Sequence, residues 1–170
     1  MILDVSKVNI DTCPVVSHVV QRYADIIRDD DFRTTEMARL LPLLSGAQVT
    51  PSMGRNRWWM VLDWNLRSYL PVLLRACGIC HDADSVASLG PMTGAYYFTF
   101  TLPEIGVSTA AARCLHSMAL LHGCARSVDE YFSLAPYCLG NVKHYVTEAT
   151  DDEARLLYAT ISTLIDRMLA

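Results

Sequence analysis

RWWMVLDWNLRSYLPVLLRAC, residues 57–77, is the stretch that decides the fold. Trp58, Trp59, Leu62, Leu66, Tyr69 and Leu70 recur at helical spacing, and apolar side chains continue round much of the segment between Asp63, Asn65, Arg67 and Arg75. A helix at a protein surface carries one apolar stripe, whereas a helix apolar on most sides is enclosed by neighbours. The segment is therefore predicted to be the central helix of an all-α bundle. Asn56 is placed to cap it and Gly78 to end it. Pro71 removes a backbone donor and crowds the preceding turn, so a kink or break is predicted near Tyr69. Asp63 and Arg67, four residues apart among large apolar neighbours, are expected to form a partly buried ion pair.

Towards the N-terminus, Ser45 to Arg55 holds two glycines, a proline and small or polar residues, and reads as the longest loop. Before it, Met37, Leu40, Leu41 and Leu44 define a helix from about Thr34 to Leu44, bent or ended by Pro42. Asp11-Thr12-Cys13-Pro14 reads as the start of a first helix, with Val16, Val19, Val20, Tyr23, Ile26 and Ile27 as its stripe and an end near Asp29.

Towards the C-terminus, Asp82 is expected to cap a short helix over 83–89. Tyr96 to Leu102 alternates Phe and Thr as a strand would, yet no comparable partner strand lies nearby, so a buried helix over 93–101 is preferred. Ser108 is expected to cap an alanine-rich helix ending by Gly123, and further helical pieces are expected over 129–139 and 142–146. Thr150 with Glu153 forms a capping-box pattern, followed by Leu156, Leu157, Leu164, Ile165 and Met168 on the last helix. The sum is one domain, 1–170, of about six or seven helices.

The chain has 170 residues, 52% of them hydrophobic, 19% charged, with a formal net charge of −4. Its charged fraction lies below the roughly 25% usual for soluble domains, which leaves apolar side chains at the surface for a partner or a ligand. No basic stripe is present to neutralise phosphates, so nucleic acid is excluded as a partner. Ser85 to Pro103 is the longest uncharged stretch, but it carries Gly90, Pro91, Gly94 and several Ser and Thr where a bilayer-spanning helix would be more uniformly apolar, which argues against membrane insertion. The N-terminus shows no basic leader followed by an apolar stretch, and a cytoplasmic location is expected, with the six cysteines as thiols.

The sharpest local string is Cys77-Gly78-Ile79-Cys80-His81, which has the C-x-x-C-H form of a covalent haem attachment. Export normally precedes that attachment, and Cys77 closes an apolar helix, so packing is the preferred reading. Zinc held by Cys77, Cys80 and His81 together with Cys114, His116, His122 or Cys124 is the other metal reading. Closed zinc sites usually show two tight ligand pairs, and Cys114 and His116 point about 200° apart on a helix. A redox dithiol at Cys77 and Cys80 is disfavoured, because Cys77 sits at a helix end where the dipole opposes a thiolate. Asp29 to Asp31 and Asp151 to Glu153 resemble magnesium-binding acidic clusters, but are read as turn and cap residues.

No G-x-S-x-G, H-E-x-x-H, P-loop or dinucleotide fingerprint occurs, which weighs against an enzyme. Arg55, Arg57, Trp58 and Trp59 gather the residue types most common at binding hot spots beside the expected loop. The function expected is thus a non-catalytic protein-interaction module, as a homodimer or with another protein, contacting its partner through Arg55, Arg57, Trp58 and Trp59. The alternative is a metal- or small-molecule-binding helical protein, an enzyme included, using Cys77, Cys80 and His81, with zinc or haem as the cofactor.

Overall fold

Pro51, not Asn56, opens the central helix. In the computed structural model, which describes residues 13–44, 51–88, 109–124 and 139–170, the elements in order are α1 (Pro14–Ile26), α2 (Asp30–Leu44), α3 (Pro51–Trp64), a π-helical turn (Asn65–Tyr69), α4 (Leu70–Ala76), α5 (Cys80–Ala87), α6 (Ala110–Cys124), α7 (Gly140–Glu148) and α8 (Asp151–Leu169). Every regular element among the described residues is helical, as an all-α domain requires. The ambiguous segment 96–102 and the expected helix over 129–139 lie outside the described residues, apart from Leu139.

Two helices start earlier than the sequence reading places them. Residues 51–55 belong to α3 rather than to a loop, because a proline at the first helical position gives up an N–H that the helix does not use. Likewise α2 begins at Asp30, four residues before Thr34, with the Asp29 carboxylate accepting the Phe32 N–H at 2.9 Å and Asp30 and Asp31 in the first turn. The acidic cluster therefore opens α2 instead of trailing α1. Elsewhere Asp82 sits inside the first turn of α5 and Ile79 holds the cap position. Thr109 rather than Ser108 caps α6, its Oγ1 accepting the Ala112 N–H at 3.2 Å, and α6 runs one residue past Gly123. Gly140 begins α7. At α1 the cap position is Cys13, with no side-chain cap, and Asp11 and Thr12 lie outside the described residues.

The break near Tyr69 takes a specific form. Pro71 has no N–H to offer the carbonyl four residues back, and its ring crowds that carbonyl. The chain answers by widening into the π turn Asn65–Tyr69, closed by the Leu70 N–H donating to the Asn65 carbonyl. Asn65 and Tyr69 are buried there without any exposure. Asp63 and Arg67 do pair across the turn, with Arg67 Nε donating to Asp63 Oδ1 at 2.6 Å and Nη2 bonding to the second oxygen. The Asp63 side chain is 7% exposed and that of Arg67 25%, so the pair is largely withdrawn from water.

Gly78 ends α4 at φ 79°, a left-handed conformation that glycine adopts without a Cβ penalty. The Gly78 and Ile79 N–H groups fold back onto the Arg75 and Leu74 carbonyls at 2.9 and 2.8 Å, and Ile79 packs against the core. Helix α8 starts with the full Thr150–Glu153 capping box, which holds the Glu153 carboxyl below the ordinary glutamate range through the Thr150 N–H.

The buried side chains form one continuous cluster drawn from every described helix. Helix α1 lies against α2, α3, α7 and α8, while α6 lies against α4 and α7. Polar ties lock these pairs. Glu148 accepts the Ala110 N–H at 2.7 Å and binds Arg113 at 2.6 Å, joining α7 to the start of α6. Tyr158 on α8 donates to the Ile26 carbonyl and accepts the Arg28 N–H, both at 3.2 Å, so its hydroxyl closes the turn between α1 and α2.

Replacing Gly78 by Ala is expected to cost about 1 kcal/mol from backbone strain alone, since open space surrounds the position a Cβ would take. Thr150→Ala removes the cap of α8 and is expected to cost about 1 kcal/mol. Urea unfolding followed by circular dichroism measures both, and the helix content of the folded state should not change.

Candidate functional site

Helices α2 and α8 leave an open cleft of about 520 Å³, lined by Tyr23, Asp29, Phe32, Glu36, Arg155, Tyr158, Ala159 and Ser162. Its volume falls in the range typical of ligand sites, about 300–1,000 Å³. The walls follow from helical spacing: Phe32 and Glu36 are four apart on α2, and Arg155, Ala159 and Ser162 repeat at four and three on α8. One wall is aromatic. Phe32 stacks on Tyr158 with ring centres 5.8 Å apart and planes at 24°, and Tyr23 meets Tyr158 edge-on at 6.4 Å.

The polar floor is satisfied internally. Glu36, only 14% exposed, accepts from Tyr23 Oη at 3.2 Å and Ser162 Oγ at 3.1 Å, and Arg39 bonds both its oxygens at 3.2 Å. Arg39 also donates to Ser162 Oγ at 2.6 Å and Asp166 Oδ1 at 2.7 Å. Hydrogen bonding to Glu36 holds the Arg39 guanidinium firmly in its charged form, and burial, reinforced by the Glu36 charge, pushes the Tyr23 hydroxyl well up. The Glu36 charge is thus compensated within the site. Asp29 uses Oδ1 at the α2 cap. Arg155 lies on the exposed side of α8 and has no hydrogen-bond or ion-pair partner among the described residues.

A second polar group lies inside the bundle. Tyr69 stacks on Trp64 at 5.7 Å, almost parallel, and meets Tyr145 edge-on at 6.3 Å. Cys114 donates its thiol to the Asn141 carbonyl at 3.3 Å. Trp64 Nε1, Tyr69 Oη, Tyr145 Oη and Asn141 Nδ2 are buried with no hydrogen-bond partner meeting normal geometry among the described residues. Burial raises the Tyr69 and Tyr145 hydroxyls and the Cys114 thiol.

The residues singled out by sequence are spread apart. Arg55 is exposed in the second turn of α3, and Arg57 is buried, its Nε donating to the Met168 carbonyl at 2.8 Å near the end of α8. Trp58 is half-buried against the core with its ring 5.9 Å from His18, and Trp59 is half-buried. Arg55 and Trp59, four apart, share one side of the helix, and Arg57 faces the opposite one. The group begins in the second turn of a helix, not at a loop junction.

Cys77 closes α4 half-buried, with its thiol raised by burial, and Cys80 opens α5 exposed. The His81 side chain lies outside the described residues, as do those of His122 and Cys124. Cys13, Cys77, Cys80 and Cys114 are free thiols. No three His, Cys, Asp or Glu side chains among the described residues stand close enough to share a metal ion. The acidic residues at 151–153 form the first turn of α8, and Asp151 binds Arg28 at 2.8 Å.

The cleft carries no local sequence signal. Glu36 and Ser162 are 126 residues apart, and each alone is an ordinary helix-surface residue. No family model, curated protein or solved structure matches the chain.

Tyr23, Tyr69 and Tyr145 all have hydroxyls raised by burial. Their contribution to stability is complete below the unfolded tyrosine value of about 10 and is lost as pH rises towards the folded values. Alkaline titration by ultraviolet absorbance should show these three ionising only as the protein unfolds, and Tyr23→Phe should remove one late step. Among the four described cysteines, Cys80 should react first with a thiol reagent and Cys13 and Cys114 last, as mass mapping of a time course would reveal.

Proposed function

We propose that the protein is a non-catalytic interaction domain that binds a protein partner across the α2–α8 cleft. The observation that carries this reading is the open cleft itself, with Phe32 40% exposed at its wall. Leu156 on α8 is 56% exposed and Leu43, seven residues beyond Glu36 on α2, is 48% exposed. Large aliphatic and aromatic side chains held in water on the two helices that form a groove favour a partner that covers them. Met53, 39% exposed, adds apolar area on α3 near Arg55 and Trp59.

A second copy of the chain is the first partner to try, because an exposed apolar surface can pair with itself in a two-fold dimer. The free thiols fit a reducing, cytoplasmic setting. Among the described residues no helix is long and apolar enough to cross a membrane.

Light scattering over a concentration series and pull-down from lysate test the reading. Phe32→Ser and Leu156→Ser are expected to weaken association by at least about tenfold while leaving the helical spectrum unchanged. Loss in Arg55→Ala or Trp58→Ala instead would move the contact to α3. A strict monomer that retains no protein would overturn the proposal.

A further inference from the structure

Resting on the interaction reading above, we propose that the α2–α8 cleft receives a carboxylate carried on an aromatic or branched apolar body, as the C-terminal residue of a partner chain presents. Glu36 is compensated by Arg39 and by the Tyr23 and Ser162 hydroxyls. The Tyr158 hydroxyl is occupied on both sides by the α1–α2 turn. These groups are mutually satisfied and ask nothing of a ligand.

Arg155 differs, being a lining guanidinium with no partner among the described residues. A guanidinium binds a carboxylate through two parallel N–H bonds, so a ligand carboxylate is the complement. Of the two lining carboxylates, Glu36 is paired with Arg39, while Asp29 sits at the α2 cap and disfavours a second negative charge near it. The ligand carboxylate is therefore directed to the α8 side. The exposed Phe32 ring, backed by the buried Tyr158 ring, and the methyl of Ala159 line the same cleft and offer an apolar wall to the rest of the ligand. A free aromatic acid shares this chemistry with a peptide terminus.

The experiment titrates ¹⁵N-labelled full chain with N-acetylphenylalanine, its carboxamide, 3-phenylpropionate, and a hexapeptide ending in phenylalanine. The acids are expected to shift the amides of Phe32, Arg155, Tyr158 and Ser162 and to bind at least about tenfold more tightly than the carboxamide. Arg155→Gln, at an exposed position, should fold normally and abolish that preference. Phe32→Ala should weaken acid and carboxamide alike. A hexapeptide tighter than both small acids identifies a chain terminus, and a 3-phenylpropionate as tight or tighter identifies a free acid.

Equal binding of acid and carboxamide, or no shift at the cleft with any probe, overturns the proposal. If no acid binds while Phe32→Ser still abolishes association, the carboxylate proposal falls and the interaction reading stands. If the chain is a strict monomer retaining no protein while the acids still bind, the interaction reading falls and the cleft is a site for a free acid.

Discussion

The missing N–H of Pro71 shapes the centre of the molecule. A straight helix over 51–76 would set the proline ring against the carbonyl of Arg67 and leave that carbonyl without its donor. The π turn over Asn65–Tyr69 relieves the clash by lengthening one turn. It also carries Asn65 and Tyr69 into the interior, where Tyr69 contacts Trp64 and Tyr145 through its ring. The Asp63–Arg67 pair spans the start of this turn and ties its two sides together where helix hydrogen bonding is irregular. Backbone chemistry at one residue thus sets which polar groups the core must accommodate.

Helix α8 performs the complementary task at the periphery. Through Tyr158 it holds the turn between α1 and α2, and through Ser162 and Asp166 it binds the Glu36–Arg39 pair of α2. Its end accepts the buried Arg57 of α3, a cation placed where carbonyls would otherwise lack donors. The cleft lies beside these polar ties, between α2 and α8. The aromatic pair Phe32 and Tyr158 fills only part of the gap.

Helix existence was legible wherever apolar spacing and an end signal agreed. The stripe of α1, the capping box at Thr150, the glycine stop at Gly78 and the Asp63–Arg67 pair all follow from residues spaced three or four apart or closer along the chain. Boundaries failed where two local signals competed. At 51–56 the glycine and small residues argued for a loop and Asn56 for a cap, yet Pro51 at the first helical position prevailed. At 29–34 the aspartates looked like a tail to α1, yet one of them caps α2. The basic-aromatic group around Trp58 was visible as composition, but its dispersal round α3 follows only once the helix start is known.

The sequence alone determined that this chain is helical and where its central helix must break, because spacing, capping and proline geometry act over a few neighbouring residues. Only the tertiary structure decided which helix faces meet. Tyr158 reaches the α1–α2 turn across 132 residues and Ser162 reaches Glu36 across 126. The cleft, with an Arg155 that has no partner among the described residues, arises from that meeting. The reason is physical: hydrogen bonds and ring contacts between distant helices depend on crossing positions, which the packing of the whole core sets and no local pattern encodes.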